Sequence, residues 1–455
     1  MAVIKPFRGV RYDEAVAGNL EELITPPYDV IDASAQSMFS SRNRYNIVHL
    51  DLPKDPGFHG QDDPQRHRRA ADLLSAWQHD GILCRDERPA LYPYEVEYRL
   101  PSGRKRTRKG FICLVKLADF SEKIIRPHEE TFTSVIQDRL ALTRACRAQF
   151  SQVFSVFSDP QGKVISLLEQ NRPAAPAVEV TDGDGNRHRL WRLDDPAAII
   201  EVQQAVAAHP LYIADGHHRY TTALAYRKET KGTDGPEGYV MMYLCPKEDA
   251  GLTILPTHRL ISYPGHFDAQ AFVASLEPWF TVTRIGFGSR ESLLQELLLA
   301  MDEAAPQQGR AIPVLGLYLA DSDCGYILHG TDRLLAARSG RPEGLRRLDV
   351  AVLNDLIITE LLDLDPQRLE HENLVGYHSD VAQALDKSVK MSVAEEPITP
   401  LLFLLKGATI DHVCAVSDAG LYMPHKSTYF YPKLMSGLVL NVFDNEHEPG
   451  TACRS

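Results

Sequence analysis

Residues 196–229 restrict the fold more than any other stretch of this chain. They run AAIIEVQQAVAA, HPLYIA, DGHHR and YTTALAYRKE, which by apolar period is a helix, a short apolar strand, a polar loop and a second helix. A tight strand-to-helix turn is a place where exposed functional groups are often set. The segment therefore points both to mixed α and β structure and to a site.

The rest of the chain reads in the same mixed style. Residues 1 to about 60 are rich in Pro, Asp, Asn and Tyr. ITPPYDVID, around Pro26 and Pro27, is extended because residues before proline avoid the α region, so an ordered loop is expected. Residues 64–83 place Leu73, Leu74 and Trp77 on one helical face, with Gly81 as the stop. LYPYEVEYRL and RKGFICLVKLADF, separated by PSGRKRTR, predict a hairpin with a basic tip. Such a tip either meets an anion or keeps strand edges soluble. A second hairpin is expected over 239–262. Past YPGHFD, near residue 265, Leu293, Leu294, Leu297, Leu298 and Met301 recur at helical spacing, and AIPVLGLYLA and TPLLFLLKG read as strands. The expected fold class is α+β (mixed α/β) in two parts: residues 1–265 with the HEE and DGHHR motifs, and an α/β domain over 266–455 with KSTYFYPK. The two are expected to share a cleft.

Composition removes several function classes. Forty-nine Lys and Arg against sixty-one Asp and Glu leave a net charge of −12, which repels a polyanion and argues against nucleic acid as partner. The longest apolar runs, around Val314–Ala320 and Leu401–Leu405, fall far short of the ~20 residues a membrane-spanning helix needs. MAVIKPFRGVRY brings charge and glycine too early for a signal peptide, so a cytoplasmic protein is expected. The seven cysteines are scattered without a CxxC pair and read as reduced, mostly buried thiols.

Chemistry concentrates in DGHHR. Asp215, Gly216, His217, His218 and Arg219 are costly to bury and cannot satisfy one another in so short a loop, so a polar ligand is the economical explanation. If the loop opens a helix, its N–H groups and dipole favour an anion, Gly216 allows close approach, and Arg219 grips phosphate bidentately. A second cluster, RPHEET, sets His128, Glu129 and Glu130 ahead of a helix, with Thr131 and Thr133 as possible caps. Its acids suit either catalysis or the helix dipole. A third, MPHKSTYFYPKLMSG, offers Lys426, Ser427 and Thr428 for phosphate, with Lys433 further on. Packing and a salt bridge explain it equally well, and the GxxxxGK spacing of a P-loop is missing. Arg8, Arg11, Tyr28 and Asp29, on stiff segments, either line a cleft or anchor the terminus. None of HEET, HENL and HEPG extends to HExxH, which leaves no zinc-hydrolase pattern.

YIADGHHRYTTALA resembles the signature turn of the ParB/sulfiredoxin superfamily, and its DGHHR spelling is most similar to the archaeal ADP-dependent free-serine kinases, which also carry an HEE-like segment. Over nearly the full length, PFRGVRY, PPYDVI, PHEET, DGHHRY, LPTHRL and MPHKSTYFYPKL resemble a large prokaryotic family known only as a domain of unknown function. The kinase resemblance implies a ParB/sulfiredoxin-like nucleotide-binding core with large insertions, plus a second lobe. It implies ADP or ATP as phosphoryl donor, magnesium, and a small hydroxylated metabolite, serine first, as acceptor. Glu129 or Glu130 would be the base and Asp215 a second carboxylate near the transferred phosphoryl group or its magnesium. His217, His218 and Arg219 would touch nucleotide phosphates. Spacing differs from the compact kinases, and PFRGVRY and KSTYFYPK have no counterpart there. The alternative implied by the superfamily is a nucleotide-binding regulatory switch without turnover.

Overall fold

The computed structural model describes residues 1–53, 65–232, 235–286, 290–303, 312–365, 368–369, 372–393 and 398–443. The chain divides into two compact units, Met1–Thr253 together with the segment that starts at Pro432, and Ile254–Tyr431. The division falls at Thr253 rather than near residue 265, and the end of the chain returns to the first unit.

The first unit is built on a nine-stranded mixed sheet. Its strands are β1 (Ile4–Lys5), β2 (Tyr92–Arg99), β3 (Lys105–Lys116), β4 (Ile125–Arg126), β5 (Val153–Phe157), β6 (Val178–Thr181), β7 (Arg187–Leu190), β8 (Leu211–Asp215) and β9 (Tyr239–Pro246). The order across the sheet is β4-β8-β5-β9-β3-β2-β7-β6, with β1 also on β3. β8 lies parallel to β4 and antiparallel to β5. The helices are α1 (Ala33–Arg42), α2 (Arg66–His79), α3 (Thr133–Cys146), α4 (Lys163–Asn171), α5 (Pro196–Ala207) and α6 (His217–Thr230). Val164 and Leu168 of α4, Val202 and Val206 of α5, and Tyr220 and Ala223 of α6 share one buried cluster with Leu211 and Ile213 of β8 and Phe111 and Val115 of β3. That packing sets α6 against the strand that precedes it. Asp195 begins α5 by accepting from the Ala198 N–H at 2.8 Å, with Pro196 in the first turn.

Several expectations change here. β2 and β3 pair antiparallel from Tyr92↔Ile112 to Arg99↔Lys105, so the predicted hairpin forms, but Arg106 and Arg108 lie in the strand rather than at the tip. Arg108 is fully buried. Its guanidinium donates to the Pro432 carbonyl at 2.9 Å and lies 4.8 Å from the Phe154 ring centroid. The 239–262 hairpin does not form: β9 pairs with β3 and β5, whereas residues 258–264 enter the other sheet. Residues 1–53 hold α1 and shorter helical turns instead of loop alone. In α2, Leu74 and Trp77 are buried as expected, but Leu73 is 38% exposed. Cys113, Cys146, Cys245, Cys324 and Cys414 are buried free thiols. Cys84 is disulfide-bonded, unlike the expectation.

The final segment explains the first unit's membership. Leu434, Met435, Leu438, Val439 and Leu440 are buried, Ser436 exchanges backbone hydrogen bonds with Thr25, and Asn441–Val442 pairs antiparallel with Ala148–Gln149. An apolar run that reads as part of a distant lobe is a closing strip of the first unit.

The second unit carries a six-stranded sheet: β10 (His258–Pro264), β11 (Phe280–Ile285), β12 (Val314–Leu319), β13 (Cys324–Gly330), β14 (Val375–His378) and β15 (Ile398–Leu404), in the order β11-β13-β12-β15-β10-β14, all antiparallel. Leu293, Leu297 and Met301 of α7 (Arg290–Glu303) and Ala384 and Leu385 of α8 (Val381–Ser392) cover one face with Val314, Tyr318, Leu402 and Leu404. The predicted leucine spacing thus faces a sheet. No helix among the described residues is long and apolar enough to cross a membrane.

Candidate functional site

β8 delivers the site. Its pairing with β5 slips between Ile213 and Asp215, leaving Ala214 as an extra residue, and such a bulge re-aims the side chain that follows. Gly216 then turns the chain with φ +90°, a left-handed conformation that glycine adopts without cost. A Cβ there would come 2.9 Å from the Arg219 guanidinium. α6 starts at His217 with no side-chain cap, so its first-turn N–H groups receive no side-chain acceptor from its own N-cap. An uncapped helix start at the end of a sheet strand is suited to anions.

Asp215 is the electrostatic centre. One carboxylate oxygen accepts from Lys433 Nζ at 2.8 Å and the other from Arg219 Nη2 at 2.7 Å. Burial alone would raise its pKa; Lys433 and then Arg219 outweigh that and hold the carboxyl well below the usual carboxylate range. Arg219 also donates to the Gln152 carbonyl and lies 4.0 Å from Asp29. With both oxygens engaged by cations, Asp215 does not fit the expected role of magnesium ligand, since a divalent ion there would sit among like charges. The described residues hold no group of three or more His, Cys, Asp and Glu side chains able to bind a metal.

The two histidines do different work from the phosphate contacts expected of them. His217 Nε2 accepts the His128 backbone N–H at 3.3 Å, and His218 Nε2 accepts the Phe132 N–H at 2.9 Å. They thereby fasten the PHEET loop to the start of α6. α3 begins after Phe132 without a side-chain cap, so His218 meets a need that neither Thr131 nor Thr133 meets. His128 lies edge-on to His217, ring centroids 4.6 Å apart, and its Nδ1 donates to the Ile213 carbonyl at 2.9 Å. Burial pushes His128 down to about 4 and His217 well below its ordinary value, the latter helped by its neighbour His128. Both rings are neutral at pH 7. With Nε2 accepting, His217 carries its proton on Nδ1, which points to Glu129 Oε2 at 3.9 Å. Glu129 is 21% exposed at that atom's side chain; Glu130 is exposed.

Tyr28 and Asp29 join this site. The Arg139 guanidinium lies 4.3 Å from the Tyr28 ring centroid and is itself held by Asp51 and Asp138. Burial, then Asp29, pushes the Tyr28 hydroxyl above its ordinary range. Beside them a cleft of about 60 Å³ is lined by Tyr28, Arg139, Arg219, Thr222, Tyr226 and Phe443, among others. Arg219 Nε and Thr222 Oγ1 are buried there without a hydrogen-bond partner among the described residues.

Arg8 lies elsewhere, its Nε donating to the Asp86 carbonyl at 2.9 Å. Lys426, Ser427 and Thr428 belong to the second unit, where Ser427 donates to the Pro424 carbonyl. The lysine of that stretch that reaches Asp215 is Lys433, which sequence reasoning noticed but did not assign. Gln152 and Arg139 were missed altogether, because nothing in their local sequence separates them from ordinary surface polar residues.

A mixed α/β domain with a strand–glycine–helix turn, an uncapped helix start and a carboxylate held by two cations is the class that fold and site define. Within it, the chain belongs to the family described as protein of unknown function (DUF1015), which matches residues 4–351, in agreement with the full-length resemblance. No curated protein matches the chain. Among solved structures, a free serine kinase variant in complex with ADP is similar at 11% identity and a TM-score of 0.36, over 73% of this chain and 92% of that one. A conserved hypothetical protein from Pyrococcus furiosus is similar at 12% and 0.34, over 73% and 95%. SbnI with a C-terminal truncation, from Staphylococcus aureus, is similar at 9% and 0.31, over 71% and 85%.

Proposed function

We propose that the first unit binds ADP or ATP by its phosphates at the start of α6 and transfers a phosphoryl group to the hydroxyl of a small metabolite, with free serine the first acceptor to test. The observation that carries this reading is the uncapped N-terminus of a fourteen-residue helix, with Lys433 and Arg219 held on Asp215 just before it and Glu129 3.9 Å from neutral His217, its first residue. Phosphoryl transfer asks mainly for positioning and charge neutralisation, and this set supplies both. Glu129 takes the proton of the acceptor hydroxyl, the acceptor oxygen bonds to phosphorus, and the bond from phosphorus to the bridging oxygen breaks, releasing the nucleotide one phosphate shorter. Lys433 and the helix N–H groups meet the charge on the phosphate oxygens. Asp215 keeps Lys433 and Arg219 in place, and the cleft beside Arg219 and Thr222 receives the polar acceptor. Magnesium enters this reading with the nucleotide, not on Asp215.

The test is phosphorus-31 NMR of the full chain with ADP or ATP, magnesium and a panel of hydroxylated metabolites. Glu129→Gln is expected to lower turnover about a hundredfold or more with nucleotide affinity little changed. Absence of turnover across a broad panel refutes the transferase; nucleotide binding without turnover supports the regulatory switch instead.

A further inference from the structure

Two motifs of the sequence, LPTHRL and MPHKST, take no part in the site above. Both lie in the second unit, and the structure brings them together. Arg259 of LPTHRL is buried and donates to the carbonyls of Thr257, His425 and Lys426 at 2.6, 3.0 and 3.0 Å. The Tyr377 ring centroid lies 4.5 Å from its guanidinium. This arginine is a clasp, and the wall it makes bounds a cavity of about 200 Å³.

The lining joins Thr257 and Ser427 from the two motifs to Arg347, Asp349, Lys406 and Thr409. Thr257 is 8% exposed and its hydroxyl has no partner among the described residues. A buried hydroxyl left without a partner costs free energy unless a ligand or water supplies one. Lys406 is exposed, and its charge acts on Asp349. Arg347 adds a second cation, oriented by Glu343 at 3.2 Å from its Nε. Asp349 opposes them with one carboxyl, which accepts the Val314 N–H at 3.2 Å and the Lys406 backbone N–H. The loop from Lys406 to Thr409 is tightly seated: a Cβ on Gly407 would meet the Ile254 carbonyl oxygen at 2.9 Å. Two cations and an unpartnered hydroxyl, on a protein of net charge −12, favour an anion with several acceptor oxygens.

We infer that the second unit carries its own binding site for a small phosphate monoester, gripped by Lys406, Arg347 and the Thr257 hydroxyl. The site stands independently of the chemistry proposed for the first unit.

Calorimetric titration of the full chain tests it, with glycerol 1-phosphate, inorganic phosphate and glycerol as probes at matched ionic strength. Glycerol 1-phosphate is expected to bind, inorganic phosphate more weakly and glycerol not at all. Lys406→Ala, at an exposed position that folding tolerates, is expected to weaken binding about tenfold. Thr257→Val is expected to weaken it several-fold, and Lys433→Ala in the first unit to leave it unchanged. No binding of either phosphate up to about 10 mM, or binding that Lys406→Ala and Thr257→Val leave intact, overturns the site. Loss on Lys433→Ala instead transfers the signal to the first unit and overturns it equally.

Discussion

The Asp215–Lys433 pair allows the site to be tested without knowing its substrate. The two side chains are 18% and 13% exposed and 2.8 Å apart. At an effective dielectric constant of ~20 their gross Coulomb attraction is about 6 kcal/mol. Desolvation of both groups offsets most of it, and solvent reaching the pair reduces it further, leaving a net coupling of about 2 kcal/mol. Asp215→Asn strands two cations, Lys433 and Arg219, and is expected to destabilise the first unit by about 3 kcal/mol. Lys433→Met leaves Asp215 still paired with Arg219 at 2.7 Å and is expected to cost about 2 kcal/mol. The double variant should then lose about 3 kcal/mol rather than the sum of the two. The chain has three tryptophans, Trp77 and Trp191 in the first unit and Trp279 in the second. In a Trp279→Phe background, urea unfolding followed by fluorescence reports the first unit alone. Additivity within about 0.5 kcal/mol would refute the reasoning: the closing strip would then not hold Asp215, and the electrostatic centre of the proposed site would be wrong.

Gly216→Ala is expected to lower stability by about 2 kcal/mol, because φ is +90° there and the added Cβ meets Arg219; nucleotide affinity measured by titration should fall with it. His128 is pushed down to about 4 by burial, so the unfolded chain takes up its proton first as pH falls. Stability conferred by the neutral ring is complete above about pH 6.5 and is lost toward pH 4, by up to about 3 kcal/mol. A His128→Gln variant whose first-unit unfolding midpoint keeps the wild-type pH dependence would count against it. Asp349 behaves in the opposite sense: burial pushes it up to about 7, the folded state holds the proton longer, and stability declines as pH rises from about 4 to 7. Asp349→Asn should therefore gain about 1 kcal/mol at pH 8, with one backbone acceptor lost, and flatten that slope in pH-resolved urea titrations.

Local patterns were legible where one element decides the outcome. The helix–strand–turn–helix of residues 196–229, the β2–β3 hairpin and the α7 leucine spacing all follow from periods of 3.6 and 2, and the structure contains each. What sequence could not show was pairing across distance. Strand partners depend on the whole sheet, so residues 239–262 read as a hairpin although β9 joins β3 and β5 and β10 joins β14 and β15. The apolar strip after Pro432 carries no local sign of which core it enters.

The same distinction separates the two lysines of KSTYFYPK. Lys426 stands next to Ser427 and Thr428, so residue type alone favoured it for phosphate. Lys433, seven positions on, is the one that meets Asp215, because the chain crosses from one unit to the other between Tyr431 and Pro432. Arg108 makes a related point from the opposite side. Its neighbours Arg104, Lys105 and Arg106 suggested a solvated basic tip, yet Arg108, on the same strand face as Arg106 but further into the sheet, is buried and holds the Pro432 carbonyl, one residue before Lys433. A charge buried at full depth there, stacked near Phe154 and Tyr243, is costly for stability alone. It is explained by position: it fixes the entry of the closing strip, and thereby the lysine that keeps Asp215 ionised at the head of α6.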